Sequence, residues 1–500
     1  MLDCVLAKFP VEECRPGDLF CFNDVYISAG AIGHSPDLCF VVPVFAAGRL
    51  AAFVGVFGHF WDIGGSTAGS SSPHSTEIFQ EGLIIPPVRL ARTGVWNQDA
   101  YDLIIRNTRF PEYLEGDTRA VISACRTGEK RLAAFFERYG VDRTLAAFDR
   151  LIEQDAERAK DLMRCHLPDG TYEFSDSVDG DGVTDQAYRV HLNVSKRGDE
   201  VVFDFTGTDD QAKGAINYYL HPAILTVVLL GRYLQSLDQS ILLNDGLREA
   251  GEVRLRQGSL LWPRFPGAVA HRAVSRMVVN NCLLGVFDQA TKGRAPAPSS
   301  NYGVIRVRSL LPDGTYVYLF DGLGVGQGAR PEADGIDAIY LIGQKNNPVE
   351  FVEANYPFRI ERFGIHADSG GPGAFRGGCG IQRDYRMILP ETTVGTILSS
   401  IKFPPFGVNR GGSGRPGRVI VNPGGPDARE VPAYADDLRL KRGDLLRVLT
   451  SGGGGWGDPF RRDPTLVARD VRRGYVTRGG AERDYGVVVD DAGRVDERAT

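Results

Sequence analysis

The chain has 500 residues, of which 43% are hydrophobic and 24% are charged, and its formal net charge is −6. This composition is typical of a globular protein of roughly two to four domains. The slightly acidic balance argues against a nucleic-acid-binding protein, and no apolar run reaches the roughly 18 residues that a transmembrane helix needs. Eight cysteines without a CxxC pair indicate reduced thiols and a cytoplasmic location.

The first third of the chain carries strand signals and then helix signals. Apolar runs bounded by turn residues predict strands at 18–22, 38–42 and 50–60. A Gly/Ser-rich loop follows at 64–75. Helical periodicity then predicts helices over 101–108, 119–139 and 143–165, the last two as an antiparallel hairpin.

The remaining segments mix strands, helices and glycine-rich loops. Two strands at 188–194 and 201–205 flank a Gly198–Asp199 turn and predict a β-hairpin. Buried helices are predicted over 217–236 and 274–288, and a short helix over 463–474. After residue 300, short strands alternate with glycine clusters at 364–380, 407–417 and 452–457.

These elements predict a mixed α+β fold with four regions. The regions are a β-rich region at 1–110, a helical hairpin at 111–168, a mixed α/β region at 169–300, and a Gly-rich β-domain with a C-terminal helix at 301–500.

The clearest chemical pattern is a repeated His-x-x-Asp element, His34–Asp37 and His59–Asp62, each beside a predicted strand. Imidazole and carboxylate ligands suit Zn, Mn or Fe, and a set of few protein ligands leaves positions open for catalysis. The alternative is that each pair is a His–Asp hydrogen bond that holds its own loop. The residues alone leave both interpretations open. One is a metal-binding function for the 1–110 region, and the other is a structural role for each His–Asp pair.

Two other patterns favour structural roles. Residues 324–329 (GVGQGA) lack the strand–turn–helix context of a dinucleotide site, so they predict a glycine loop. Residues 179–185 lack the closing glutamate of a calcium loop and predict a solvated turn. No G-x-x-x-x-G-K-[ST] sequence occurs, so an ATP site within this chain is not supported.

Longer stretches resemble a known family. Residues 22–26 (FNDVY), 33–37 (GHSPD), 58–65 (GHFWDIGG) and 77–88 (EIFQEGLIIPPV) resemble its NDPY, THxPD, HHxDVGG and EIxQEGLxIPPV motifs. The family is the hydantoinase B/5-oxoprolinase family, and further matches as far as residues 454–459 (GGWGDP) carry the resemblance to both ends of the chain.

The resemblance implies the metal-bearing subunit of an ATP-dependent complex. Relatives include N-methylhydantoinase, 5-oxoprolinase, caprolactamase, and acetone and acetophenone carboxylases, in which a hydantoinase A-type partner binds ATP and phosphorylates the substrate. The implied metal ligands are His34, Asp37 and His59, with Asp62 as an extra ligand or a partner of His59. The further candidates are His74 and Glu81 for proton transfer, and Asn23, Asp24, Gly64 and Gly65 for substrate binding.

Three departures from the family pattern matter. The family carries a further segment before the position of Met1, and two internal motifs, HTHMTNTxNTPVE and GGNxETSQR, are replaced at 337–350 and 270–277. We therefore expect a substrate other than a hydantoin or oxoproline. Two functions follow: a metal-dependent catalytic subunit of an amidohydrolase or ketone carboxylase complex acting on a small molecule, or a non-catalytic structural subunit of such a hetero-oligomer.

Overall fold

The computed structural model describes residues 1–300, 302–340, 345–496 and 500. The chain divides into two compact units. Unit 1 comprises Met1–Cys165, Lys196–Thr206 and Asp210–Arg272, and unit 2 comprises His166–Ser195, Gly207–Asp209 and Ala273–Thr500. Both contain helices and strands, which confirms the predicted mixed fold. Among the described helices, none combines the length and apolarity needed to cross a bilayer.

The helices and strands follow one another along the chain without repeats. Up to the end of the helical hairpin they are α1 (Leu2–Lys8), β1 (Leu19–Phe22), β2 (Asp37–Ala46), β3 (Arg49–His59), β4 (Val88–Arg92), β5 (Val95–Trp96), α2 (Gln98–Arg106), α3 (Pro111–Tyr139) and α4 (Val141–His166). The middle elements are β6 (Gly170–Val178), β7 (Tyr188–Arg197), β8 (Glu200–Asp204), α5 (Gly231–Leu237), β9 (Glu252–Arg254) and α6 (Arg272–Thr291).

The last elements are mostly strands. They are β10 (Gly303–Leu310), β11 (Tyr316–Gly322), α7 (Val349–Asn355), β12 (Phe358–Ile365), β13 (Ile381–Met387), β14 (Glu391–Leu398), β15 (Arg418–Val421), β16 (Arg429–Glu430), β17 (Tyr434–Lys441), β18 (Leu445–Leu449), α8 (Pro464–Arg472) and α9 (Arg478–Tyr485).

Unit 1 is built on an antiparallel sheet in the order β3-β2-β1-β4-β5. Strands β2 and β3 form a long hairpin whose two-residue turn, Ala47–Gly48, has positive φ at both positions, as tight hairpin turns require. One face of the sheet packs on α3, where Cys125 joins Leu38 and Phe40 in a buried cluster. The hairpin matters for the site because its open end places Asp37 directly opposite His59.

Unit 2 contains two further antiparallel sheets, in the orders β11-β10-β14-β17 and β12-β13-β18-β15-β16. Val307 and Leu319 from the first sheet and Tyr385 and Val448 from the second lie in one buried cluster, so the two sheets share a core. Strands β6 and most of β7 also belong to unit 2, whereas β8 and β9 pair in parallel in unit 1.

In unit 2 the glycine segments 377–380 and 452–455 are buried, and they pack backbone against backbone with the segment around Gly326. Gly326 donates its N–H to the carbonyl of Ser451, and Gly453 donates to that of Gly378. A Cβ built on Gly326 would lie 1.9 Å from the carbonyl oxygen of Gly378 and 2.4 Å from the nitrogen of Gly453. Side chains are therefore excluded between these segments, and the glycines are needed for close approach rather than for flexibility.

Most predicted elements are confirmed, and the exceptions have local causes. Helix α3 begins at Pro111, eight residues before the predicted start, because proline suits the first turn of a helix. The helix predicted over 217–236 is wrong at its beginning: the segment becomes helical only from Pro222 onward, and Ile224–Leu230 is a π-helix. Asn217 explains the difference, since its side-chain amide donates to the carbonyls of Ala212, Gly214 and Ala268 and holds the chain extended.

Candidate metal centre

Three predicted ligands converge at the open end of the β2–β3 hairpin. The Nε2 atom of His34 lies 3.0 Å from Oδ1 of Asp37 and 3.0 Å from Nδ1 of His59, and the remaining pair is 3.2 Å apart. The two imidazole rings are stacked, with centroids 4.9 Å apart. His34 and Asp37 are buried, whereas 49% of the His59 side chain is exposed, so the group is open to solvent on one side.

A residue far away in the sequence contacts the second ring nitrogen of His34. Its Nδ1 lies 3.1 Å from the carbonyl oxygen of Ala270, which can only accept a hydrogen bond. A metal ion bound at Nε2 would leave the single proton of a neutral imidazole on Nδ1, where it donates to this carbonyl. Such a carbonyl contact is the usual way in which a metal-binding histidine is oriented.

Burial and nearby charges shift the pKa values of His34 and Asp37 in the direction that favours metal binding. Burial and the nearby Arg272 lower the pKa of His34 to about 4, so its imidazole is neutral at neutral pH. Burial alone would raise the pKa of Asp37, but His34 and Arg272 outweigh burial and hold that pKa well below its usual range. Two imidazole nitrogens and one carboxylate oxygen lie within 4.8 Å of one another, a donor set that fits a divalent ion such as Mn, Zn or Fe.

Asp62 does not join this group, although it was predicted as a fourth ligand or as a partner of His59. Its oxygens accept hydrogen bonds from the backbone N–H groups of Gly64, Gly69 and Arg109. The Arg109 guanidinium also binds it, at 3.0 Å. Strand β3 ends at His59, and the chain then turns, so this carboxylate organises the Gly/Ser loop instead.

Asn23 and Asp24, predicted to contact substrate, are bound to the protein itself. The amide of Asn23 donates to the carbonyls of Ser35 and Leu83, and its oxygen accepts from the N–H of Ile85. Asn23 therefore ties the turn that carries His34 to a neighbouring segment. Asp24 accepts from the N–H groups of the two residues after Val25 and so caps its own turn.

Gly64 and Gly65 line an open cavity of about 650 Å³. Both have positive φ, and a Cβ on either would lie 2.5 Å from a backbone oxygen, so the loop conformation requires glycine at both positions. The cavity wall contains both apolar and basic residues; it includes Ile63, Phe79, Leu83, Ile84, Arg106 and Arg109. The prediction that these glycines bind substrate remains a prediction.

The two proton-transfer candidates lie in different environments. His74 is exposed, and its backbone N–H donates to the hydroxyl of Ser72. Glu81 is buried, and its Oε1 accepts from the N–H groups of Val269 and Ala270. Glu81 therefore holds the segment whose carbonyl orients His34, which makes it a structural support of the centre.

The remaining motifs have structural roles within unit 2. The carboxylate of Asp179 accepts from the N–H groups of Ile401, Lys402 and Phe403. Asp181 accepts from Thr184 and Tyr188. Both carboxylates are buried, whereas Val183 and Asp185 are exposed, so the turn at 179–185 is only partly solvated. Residues 324–329 form no helix, as predicted.

Comparison with known proteins settles the family. Residues 1–459 match the hydantoinase B/oxoprolinase family. The chain belongs to this family. The caprolactamase subunit beta of Pseudomonas jessenii is 30% identical over 518 residues, covering 100% of this chain and 87% of that protein. The acetophenone carboxylase delta subunit of Aromatoleum aromaticum (strain DSM 19018 / LMG 30748 / EbN1) is 25% identical over 528 residues, covering 95% of this chain and 75% of that protein.

A solved structure agrees with this assignment. The crystal structure of ATP-dependent caprolactamase from Pseudomonas jessenii matches with a TM-score of 0.89 at 28% identity, covering 100% of this chain and 87% of that chain. Members of the hydantoinase B/oxoprolinase family are enzyme subunits, and this chain is one of them.

Sequence reasoning missed one residue of the centre in this family member. Arg272 donates from Nη2 to Oδ2 of Asp37 at 2.8 Å, across 235 residues of sequence. The only signal was that 270–277 departs from the family motif, and this segment does contribute Ala270 and Arg272 to the centre. The other departing segment, 337–350, belongs to unit 2, and residues 341–344 within it lie outside the described residues.

Glu81 predicts a measurable pH dependence of stability. Burial raises the pKa of Glu81 to about 8, above its unfolded value, so the protonated form is favoured in the folded state. Its contribution to stability is complete below about pH 4 and is lost as the pH rises toward 8. We expect the metal-free Glu81→Gln variant to gain stability relative to the parent across this range, by up to about 1.4 kcal/mol per pH unit.

Urea unfolding of both proteins at pH 5, 6.5 and 8 measures this difference. Glu137→Gln, on the exposed face of α3, is the matched control and should show the same pH dependence as the parent. Parallel stability curves for the parent and Glu81→Gln would contradict a raised pKa at Glu81.

Proposed function

We propose that this chain is the metal-dependent catalytic subunit of an ATP-dependent complex that hydrolyses a cyclic amide. The convergence of His34, Asp37 and His59 is the observation that supports this most directly. A divalent ion held by these residues would supply Lewis acidity toward a carbonyl oxygen and toward water. The likeness to caprolactamase favours the hydrolytic branch of the family.

The residues of this chain prepare the site for that chemistry. Ala270 orients His34, and Arg272 holds one oxygen of Asp37, so the ligand atoms are positioned before substrate arrives. The exposed side of His59 leaves a path by which substrate reaches the centre. We propose that His74 exchanges protons with solvent in the loop at 64–75, and that Glu81 carries its proton on Oε2, since Oε1 accepts two hydrogen bonds.

We propose that ATP binds to a partner subunit of the hydantoinase A type, which phosphorylates the carbonyl compound. The sequence contains no phosphate loop of its own. The caprolactamase and acetophenone carboxylase relatives are named as subunits, which favours a hetero-oligomer. The cysteine pattern favours the cytoplasm as its location.

Reconstitution with a hydantoinase A-type subunit tests the proposal. With ATP and Mn²⁺ present and bicarbonate absent, the complex should release ADP, phosphate and a ring-opened acid from at least one cyclic amide in a panel that includes caprolactam, hydantoin and 5-oxoproline. The His59→Ala complex should retain assembly and lose product formation by about a thousandfold.

The other outcomes separate the alternatives. Product formation only with a ketone and bicarbonate would assign the chain to carboxylation rather than hydrolysis. Full activity in the His59→Ala complex would refute a catalytic role and leave a structural subunit.

A further inference from the structure

The two carboxylate oxygens of Asp37 have different partners, because Arg272 binds one of them. Its Nη2 binds Oδ2 at 2.8 Å, while Oδ1 faces His34 and His59 at 3.0 and 3.2 Å. Only 18% of the Arg272 side chain is exposed, so water screens this ion pair weakly. Asp37 therefore presents a single oxygen to the group and has its charge balanced by a fixed cation.

Gly33 makes room for this arginine. A Cβ on Gly33 would lie 2.5 Å from Nε of Arg272 and 3.3 Å from its Cζ and Nη2. The φ of Gly33 is not positive, so the backbone itself does not demand glycine there. Gly33 stands where the THxPD motif has threonine, Arg272 lies in the departing segment 270–277, and the two residues are packed against each other. Gly33 and Arg272 thus form a matched pair.

The pair changes the charge of the centre. Asp37 contributes one negative charge and Arg272 one positive charge, and the two groups are in direct contact at 2.8 Å. Burial raises the pKa of Glu81 to about 8, so Glu81 adds no charge at neutral pH. The surrounding residues are therefore close to neutral in total, and a divalent ion would keep its double positive charge for its remaining ligand.

We propose that Arg272, admitted by Gly33, is a positioning residue that sets the charge of the metal centre and makes it select an anionic ligand, such as a phosphate ester or a carboxylate. The inference rests on the proposed function, because it requires a divalent ion at His34, Asp37 and His59. It adds that the centre discriminates by ligand charge, and that two residues outside the ligand set are responsible.

The test measures binding of inorganic phosphate to the Mn²⁺-loaded chain by calorimetry, with Mn²⁺ affinity measured separately. Arg272→Gln should weaken phosphate binding by about tenfold or more, whereas Arg272→Lys, which keeps the charge, should stay within about threefold of the parent. The Mn²⁺ affinity of Arg272→Gln should not fall, because the substitution removes a positive charge from beside the ion. Acetamide, a neutral probe, should respond equally weakly in all three proteins.

The Gly33→Ala variant tests the role of Arg272 independently, without changing the arginine itself. The atoms nearest the new methyl group belong to the flexible Arg272 side chain, so the guanidinium should be displaced and the loop should be retained. We expect a loss of phosphate affinity similar to that of Arg272→Gln, and no further loss in the double variant. Gly116→Ala on α3, where a methyl group meets open space, is the control and should bind phosphate like the parent.

The phosphate and Mn²⁺ affinities together decide whether Arg272 controls ligand selection. Unchanged phosphate affinity in Arg272→Gln overturns the proposal, and so does a loss of Mn²⁺ affinity alone, which would mean that Arg272 only supports Asp37. Failure of the parent chain to bind Mn²⁺ refutes the proposed function first and this inference with it. Normal Mn²⁺ binding with phosphate affinity independent of Arg272 refutes the inference alone.

Discussion

Replacement of His34 by alanine is expected to abolish metal binding. The parent chain should purify with about one equivalent of Mn, Zn or Fe, and the variant should lose at least about 100-fold in affinity, because a ligand is removed from a set of three. Elemental analysis and metal titration measure both quantities. The loss should be accompanied by loss of all metal-dependent activity in the reconstituted complex.

The design must separate metal loss from misfolding, because His34 is buried and also bonds to Ala270. His34→Gln retains most of the side-chain volume and should keep the parent's circular dichroism while still losing the metal. His166→Ala, at the exposed end of α4, should retain full occupancy. A His34→Ala protein that holds a full equivalent of metal would place the centre elsewhere.

Replacement of Gly326 by alanine is expected to prevent unit 2 from folding normally. The new methyl carbon would lie 1.9 Å from a carbonyl oxygen and 2.4 Å from a backbone nitrogen, so relief requires whole segments to separate. Those segments are joined by backbone hydrogen bonds, which would break together. We expect a loss of about 4 kcal/mol or more, at the extreme of single substitutions.

The soluble yield and the urea midpoint report this effect. Gly479→Ala is the matched control, because Gly479 lies in α9 with no atom within 4 Å of a new Cβ. It should stabilise the chain by up to about 1 kcal/mol through helix propensity. A Gly326→Ala protein with the parent's midpoint would show that the glycine segments are not tightly packed in solution.

The three proposed metal ligands could be predicted from the sequence because they lie close to regular elements. Asp37 and His59 are the first and last residues of two strands joined by a tight turn, so the strand register alone brings them opposite each other. His34 precedes Asp37 by three residues, and a single turn places its ring over that carboxylate. The proximity of these three residues therefore follows from a short sequence pattern and from the geometry of one hairpin, without any contact between distant segments.

The partners of the other predicted site residues could not be inferred from local sequence patterns. Asp62 has the same His-x-x-Asp context as Asp37, yet its carboxylate binds Arg109 and its own loop. Asn23 belongs to a family motif but binds only backbone groups. The direction of each side chain depends on which donors lie nearby, and most of these come from other segments of the chain.

The sequence by itself determined the mixed fold class, most strands and helices, the proximity of His34, Asp37 and His59, and the lack of a phosphate loop. These follow from periodicity, turn chemistry and motif spacing, all of which act over a few residues. Only the tertiary structure decided the backbone partner of His34, the charge balance at Asp37 and the burial of the glycine segments. Ala270 and Arg272 lie more than 230 residues from their partners, and Gly326 meets Gly378 through backbone atoms alone. Contacts of this kind arise from packing, which no local pattern encodes.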